Sequence, residues 1–301
     1  MKKFAFLSWA VVAALLFTAC GSSPKGYSVV DGVIVFDAPA RAEGQHSVLR
    51  LTTDPMPVVR VGFIGLGMRG PGAVERFTYL DGVEIKALCD LYPDRVEKSQ
   101  EILAGRNLPA AAAYSGEEGW KELCRRDDID LVYICTPWQL HVPMAVYAME
   151  HGKHVAVEVP AAMSLEECWQ LVDTAEKTQR HCMMLENCVY DFFELTTLNM
   201  AQHGLFGEII HTEGSYIHDL DPFWEHYQGN WRLDFNQSHR GDVYATHGLG
   251  PACQLLDIHR GDRMTRLVSM DTESINGLKT AKEKMGAETF ANGDQTLTLI
   301  K

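Results

Sequence analysis

The sequence predicts an α/β fold: a doubly wound parallel sheet, followed by an α+β domain with an open, largely antiparallel sheet. Three observations carry this reading. From Val58 onward, β-branched apolar runs alternate with helical patterns, as strand–helix–strand units do. The first run, Val58-Val59-Arg60-Val61-Gly62-Phe63-Ile64, breaks at Gly65-x-Gly67-x-x-Gly70, and a helical pattern starts at Pro71. After Asn187 the alternation stops, and an irregular aromatic stretch leads to strand patterns over 268–270 and 296–300.

Each glycine of the break has a physical task. Gly65 lets the chain turn tightly. Gly67 lets the backbone approach a pyrophosphate with no Cβ between, and Gly70 lets the new helix lie close on the strand. A pyrophosphate would then meet the amides of a helix N-terminus. Glycines at this spacing recur by chance, so their setting decides. The next strand pattern, Val83-Glu84-Ile85-Lys86-Ala87-Leu88-Cys89, ends at Asp90. An acidic residue about 20 positions past the glycines, closing the second strand, accepts hydrogen bonds from the adenosine ribose. The alternative is an ordinary strand-end or helix-capping Asp. No Arg directly follows Asp90 to neutralise a 2′-phosphate, which favours NAD over NADP. Residues 58–187 therefore read as a Rossmann NAD-binding domain.

The elements follow in order. Helices are predicted over 73–79, 91–103, 120–126 and 143–151, the last ended by Gly152. Leu131-Val132-Tyr133-Ile134-Cys135 is a central strand stopped by Thr136-Pro137, and 154–159 is another, stopped by Pro160. Ser164-x-x-Glu167 is a capping box opening a helix to Gln179. Residues 181–185 form the last strand of the unit, ending at Glu186-Asn187. Beyond it, 191–203 is a helix whose Phe192, Phe193, Leu195 and Leu198 read as core. A strand is expected over 209–216, and a helix follows Gly250 through Leu256. Residues 188–301 make up the second domain.

Composition bounds the function. With 301 residues, 46% hydrophobic content and a net charge of −13, the chain can bury two cores. The acidic balance argues against nucleic acid. Lys2-Lys3, an apolar stretch over 4–17 and Thr18-Ala19-Cys20 form a targeting segment, residues 1–20. A small residue before Cys20, with Gly21-Ser22-Ser23 after it, resembles a bacterial lipoprotein signal, in which Cys20 is lipidated. The alternative is a plain secretory signal; Phe17 stands where such signals usually carry Leu. The expectation is a bacterial cell-envelope protein, held to the membrane by a lipid anchor, periplasmic or at the cell surface. Residues 21–57 are a linker and a β-rich lead-in. Cys89, Cys124, Cys135, Cys168, Cys182, Cys188 and Cys253 read as small buried apolar residues, with a local Cys182–Cys188 pair left open. No metal-ligand spacing appears.

Ligands of open α/β sheets bind beyond the carboxyl ends of the strands. The cofactor edge is therefore Gly65 to Gly70 (with Met68 and Arg69), Asp90, the Thr136 to His141 turn, and Glu158-Val159, with Asn187 as a further candidate. His141 is either a group near the nicotinamide or a surface His at a helix start. Trp138 is either a cofactor-stacking ring or a packed anchor. The stretch beyond Tyr216 is rich in aromatic rings with polar tips: His218, Trp224, His226, Tyr227, Trp231, Arg232, His239, Tyr244 and His247. Such residues suit a sugar, whose C–H faces stack on rings while its hydroxyls meet polar groups. A partly buried aromatic loop is the alternative.

Gly65-x-Gly67-Met68-Arg69-Gly70, Asp90, Thr136-Pro137 and Glu158-Val159-Pro160 resemble the superfamily of glucose–fructose oxidoreductase and inositol dehydrogenase. Within it, Trp138-x-x-His141, Gly214-x-Tyr216-Ile217-His218-Asp219, Trp231-Arg232 and Tyr244-Ala245-Thr246-His247-Gly248-Leu249-Gly250-Pro251 are similar to glycoside hydrolase family 109, the NAD-dependent α-N-acetylgalactosaminidases. The sugar dehydrogenases usually carry Glu-Lys-Pro where this chain has Glu158-Val159-Pro160, and that Lys helps deprotonate the alcohol. The resemblance implies a retaining glycosidase that works by oxidation, elimination, addition and reduction. It implies His247 and Tyr244 as the acid/base pair. Substrate contacts would come from Tyr216, Arg232, Tyr244, Ala245, Thr246 and His247. Gly65, Gly67, Met68, Arg69, Gly70, Asp90, Trp138, Gln139, Leu140, His141, Glu158, Val159 and Asn187 would bind NAD. The family continues past Lys301 with more strands, so the second domain reads as truncated. A net sugar dehydrogenase and a non-catalytic NAD- and carbohydrate-binding surface protein are the alternatives, and self-association is left open.

Overall fold

A computed structural model describes residues 27–36, 38–224 and 230–301. The targeting segment with Cys20, and His226 and Tyr227, lie outside the described residues. The chain forms two units, Met1–Gly44 and Gln45–Lys301. In the first, β1 (Tyr27–Val30) and β2 (Val33–Phe36) pair antiparallel. Asp31 and Gly32 between them have φ of 51° and 78°, the left-handed pair that a two-residue hairpin turn needs.

The second unit opens with the doubly wound sheet. Its strands are β3 (Val59–Ile64), β4 (Val83–Asp90), β5 (Ala112–Ser115), β6 (Leu131–Ile134), β7 (His154–Val157) and β8 (Cys182–Met184). They lie in the order β5-β4-β3-β6-β7-β8, every neighbouring pair parallel. The order reverses between β3 and β6, and a crevice opens there at the carboxyl edge. Both faces are covered, as a parallel sheet requires. On one face α1 (Gly70–Phe77) and α2 (Pro93–Gly105) bury Ala73, Val74, Val96 and Leu103 against Phe63 and Leu88. On the other, α3 (Gly119–Cys124), α4 (His141–Glu150) and α5 (Leu165–Thr178) pack Leu123, Met149 and Leu171 against Ile64, Val132 and Val157. Ser164 caps α5, its Oγ accepting from the Glu167 amide at 3.1 Å, while Glu167 accepts from the Met163 amide at 2.6 Å.

The remaining elements are α6 (Phe192–Gln202), a helical turn at Asp221–Trp224, α7 (Trp231–Ser238), α8 (Ala245–Leu255), β9 (Leu267–Asp271), α9 (Asn276–Lys284) and β10 (Thr296–Ile300). β9 and β10 pair antiparallel. A small core joins Trp224, Leu233, Ala281 and Phe290.

Several expectations fail here for physical reasons. Residues 209–216 form no strand, and Ile210 is 91% exposed. Helix α6 forms, yet Phe192 and Phe193 are 88% and 75% exposed, so its apolar spacing does not face a core among the described residues. Cys168 is exposed, and Cys182 and Cys188 are both free thiols rather than a pair. β5, the helical turn at Asp221–Trp224, α7 and α9 have no local pattern that announces them. β5 is alanine-rich and is a strand only because it pairs with β4. α7 hides in the aromatic stretch, capped by the Asn230 side chain on the Arg232 amide at 2.9 Å. α9 has Ile275 at its N-cap position, and its first amides are instead accepted by Asp294, 18 residues away in sequence from Asn276.

Candidate functional site

The glycine turn is built as a nucleotide cradle. Gly65 has φ of +93°, and a Cβ there would lie 2.6 Å from the Cys135 carbonyl carbon. A Cβ on Gly70 would lie 2.0 Å from the Gly65 carbonyl oxygen, so helix α1 starts directly against the end of β3. At Gly67 the nearest atom is the flexible end of Arg95, at 3.3 Å, which leaves that backbone open to a phosphate. No side chain caps α1, so its first amides point to the cradle. The buried Thr136 hydroxyl, at the next strand end, has no hydrogen-bond partner among the described residues. Cradle and hydroxyl fit a dinucleotide lying across the switch point.

The acidic groups of this edge are already ordered. Asp90 is buried; its Oδ2 accepts from the Leu66 amide at 2.6 Å and its Oδ1 from the Tyr92 amide at 3.0 Å. It thus holds the glycine turn as well as ending the strand. Arg95 reaches the same carboxylate at 3.3 Å. Leu91 directly follows Asp90, but one turn of α2 delivers an arginine. Glu158 is buried, accepts from the Tyr133 hydroxyl at 3.1 Å, and pairs with Arg69 at 3.9 Å. Met68 and Leu140 are exposed, as is Gln139, while Val159 is buried.

Two residues with open readings become definite in place. His141 is buried, with Nδ1 2.7 Å from the Pro160 carbonyl and Nε2 2.8 Å from the Thr136 carbonyl. Its ring joins the turn after β6 to the turn after β7 rather than lying at the surface. Burial lowers its pKa, and the two carbonyls pull the other way. Trp138 is 3% exposed and packs edge-on against Trp231, Phe235 and Tyr244 at 4.6, 5.0 and 5.4 Å. It anchors α7 and the start of α8 to the sheet. A cleft of about 300 Å³ runs beside it, lined by Gln139, Met163, Asp234 and His239 among others.

A second cluster gathers the predicted sugar residues. Tyr216 stacks on His247 at 4.9 Å, and Tyr244 stacks on it at 5.4 Å. Tyr216 and Tyr244 also meet, at 5.1 Å. The Arg232 guanidinium lies 5.4 Å from the Tyr244 ring and 5.6 Å from Trp138, within cation–π range. Ala245 opens α8 and is exposed. The Thr246 hydroxyl is buried without a partner among the described residues. Asn187 is exposed at the end of β8, its amide 3.8 Å from the Cys188 sulfur.

Residues outside the predicted site hold this cluster together. A Cβ on Gly214 would lie 2.2 Å from the Gly248 carbonyl oxygen, and one on Gly248 would lie 2.7 Å from the Gly214 oxygen. Only two glycines let the extended segment touch helix α8, and this contact brings Tyr216 over His247. Glu186, buried at the end of β8, accepts from His247 Nδ1. Its position on the sheet's carboxyl edge was the available signal. No metal-ligand spacing was visible in sequence, yet Glu186, Cys188 and His247 bring ligand atoms within 4.8 Å of one another. Burial, with Glu186 next, pushes the Cys188 thiol up to about 11, so it stays protonated.

Comparison with known proteins agrees with this architecture. Residues 59–186 match the family described as "Oxidoreductase family, NAD-binding Rossmann fold". Residues 190–301 match "Glycosyl hydrolase 109, C-terminal domain". The chain is 62% identical to glycosyl hydrolase family 109 protein 1 of Bacteroides fragilis over 97% of its length and 63% of the relative's. It is 60% identical to the glycosyl hydrolase family 109 protein of Porphyromonas gingivalis, over 98% of its length and 64% of the relative's. The chain thus spans a little under two thirds of the length of these relatives. An NAD binding oxidoreductase from Klebsiella pneumoniae shares the fold with a TM-score of 0.61 at 20% identity, covering 82% of this chain and 64% of that one. Residues 59–186 are an NAD-binding domain, and NAD is the cofactor.

Proposed function

The chain belongs to glycosyl hydrolase family 109, and on that premise we propose that it hydrolyses α-linked N-acetylgalactosamine, with retention and with no net consumption of NAD. One observation carries this reading. Val159, buried and apolar, stands where a sugar dehydrogenase would place its lysine, while an imidazole, His247, lies stacked with Tyr216 and Tyr244. Proton transfer is thereby assigned to α8.

Bound NAD supplies a reversible hydride acceptor for C3 of the sugar. The glycine turn, Asp90, Arg69, Glu158, the Trp138 to His141 turn, Val159 and Asn187 would hold it. Tyr216 and Arg232 orient the sugar, the first by ring stacking and the second by hydrogen bonds to hydroxyls or the acetamido group. His247 and Tyr244 accept and return the protons of the reacting hydroxyls. With C3 at the ketone level, His247 would remove the acidified C2 proton and pass it to the departing aglycone oxygen as the C1–O bond breaks by elimination. The same pair would then guide the hydroxyl of water to C1 and its proton to C2, and would return a proton to the C3 oxygen as C3 takes back its hydride. Imidazole suits this task because its ordinary pKa is near neutrality.

A chromogenic α-N-acetylgalactosaminide, incubated with the purified chain and no added NAD, tests the proposal. Release of the aglycone without accumulation of NADH is expected. Stoichiometric NADH from a free sugar would overturn it in favour of a net dehydrogenase. His247→Ala is expected to lower turnover by roughly 10²–10⁴-fold while NAD still co-purifies. The same reading puts the chain in the bacterial envelope through lipidation of Cys20. Incorporation of labelled fatty acid in vivo, lost in Cys20→Ala, is the expected outcome, and labelling that survives the substitution would rule it out.

A further inference from the structure

We infer that Glu186 is the positioning residue of His247, fixing which ring nitrogen carries the proton and the plane in which the ring lies. The inference rests on the proposed role of His247 and adds a residue that the sequence does not single out.

Glu186 is 5% exposed, and a backbone amide donates to each of its carboxylate oxygens. Oε1 accepts from the Cys188 amide at 3.1 Å and also meets His247 Nδ1. Oε2 accepts from the Val189 amide at 2.9 Å. Backbone amides thus hold each oxygen, and the carboxylate cannot swing away. Helix α8 closes the seat, since a Cβ on Gly250 would lie 3.0 Å from Oε2 and 2.9 Å from Val189 Cγ1. A carboxylate accepts but does not donate. Nδ1 of His247 must therefore carry a proton, and in the neutral ring Nε2 is left as the free base. The Cys188 sulfur, 3.4 Å from Nδ1, is a protonated thiol and a weak competitor. Tyr216 and Tyr244 stack on the same ring, at interplanar angles of 30° and 16°. The hydrogen bond fixes one edge of the imidazole and the tyrosines fix its plane, which is how an oriented base is made.

Glutamine at this position is not a neutral replacement. One backbone amide faces each carboxylate oxygen, so the side-chain NH₂ must face a donor in either orientation. Placed at the Oε1 position, it would also donate to Nδ1 and invert the tautomer. The test is ¹⁵N NMR of His247 in the full chain with NAD bound, alongside steady-state kinetics of wild type, Glu186→Gln, Glu186→Asp and His247→Ala. The wild type is expected to show a protonated Nδ1 and a pyrrole-to-pyridine shift pattern with Nε2 as the base. Glu186→Gln is expected to move that pattern towards the Nε2–H form and to lower kcat by roughly 10²–10⁴-fold with KM within a few-fold. Glu186→Asp, which keeps the charge, is expected to restore part of the signature. A wild-type Nε2–H tautomer would overturn the inference, and this needs no variant to fold. So would a Glu186→Gln variant with both tautomer and kcat unchanged, or a stoichiometric transition metal held by Glu186, Cys188 and His247. If the tautomer moves but His247→Ala keeps full turnover, the Glu186–His247 pair stands and the proposed catalytic role of His247 falls.

Discussion

At the scale of single residues, close approach decides more than charge. Gly70→Ala would drive a methyl group into the Gly65 carbonyl, 2.0 Å away. The Cβ is fixed by its own backbone and the carbonyl belongs to backbone, so neither can rotate aside and the cradle itself must deform. Overpacking of this kind costs about 1–3 kcal/mol or more, and NAD affinity is expected to fall well beyond that stability loss, as isothermal titration would show. Asp130 gives a pH-dependent case. It accepts from Arg60 through Nε at 2.9 Å and Nη2 at 2.6 Å, and from the Arg60 amide at 2.9 Å. The Arg60 hydrogen bonds hold its carboxyl below the usual carboxylate range. A lowered native pKa adds stability above the unfolded value of about 3.9, and that stability is lost as pH falls through the native value. The urea midpoint of wild type should therefore exceed that of Asp130→Asn at neutral pH, and the gap should narrow by about pH 3. Equal gaps at both pH values would contradict the assignment.

At the scale of elements, the two halves of the site answer to different contacts. Gly248→Ala meets the Gly214 carbonyl at 2.7 Å, and relief requires the segment carrying Tyr216 to lift from α8. KM for the sugar is expected to rise while NAD binding stays within a few-fold of wild type. A loss of NAD binding equal to the loss of sugar binding would show that the two are not separable. How much of this was legible follows from where each signal is stored. The glycine turn, Asp90 and the strand ends lie within a few residues of the strands they close, so local pattern reveals them. Glu186 and His247 are 61 residues apart, and the Gly214–Gly248 contact also joins segments distant in sequence. Nothing local marks either pair. His141 shows the reverse error. Its place in the turn was right, but only packing shows both ring nitrogens turned towards backbone carbonyls.

At the scale of the whole molecule, apolar surface is distributed unevenly. The parallel sheet is covered on both faces, whereas Leu267, Val268, Met270, Leu297 and Leu299 on the two-stranded sheet are all more than half exposed. No helix among the described residues is long and apolar enough to cross a membrane. Unpaired strand edges with apolar side chains are templates for pairing between chains. The chain is expected to self-associate with rising concentration, measured by light scattering after size exclusion, and Val268→Lys is expected to reduce it. A strictly monomeric wild type at every concentration would contradict this.

The sequence by itself determined the doubly wound sheet and the place of its nucleotide edge. Those features depend on short-range periodicity and on glycine spacing, which a linear chain displays directly. Tertiary structure alone decided which residues are bound to one another. It turned Asp90 onto the glycine turn, brought Arg95 beside it, buried His141 between two carbonyls and placed Glu186 under His247. Such pairings arise when distant segments close upon each other, and their geometry is set by helix and strand packing that no local pattern records.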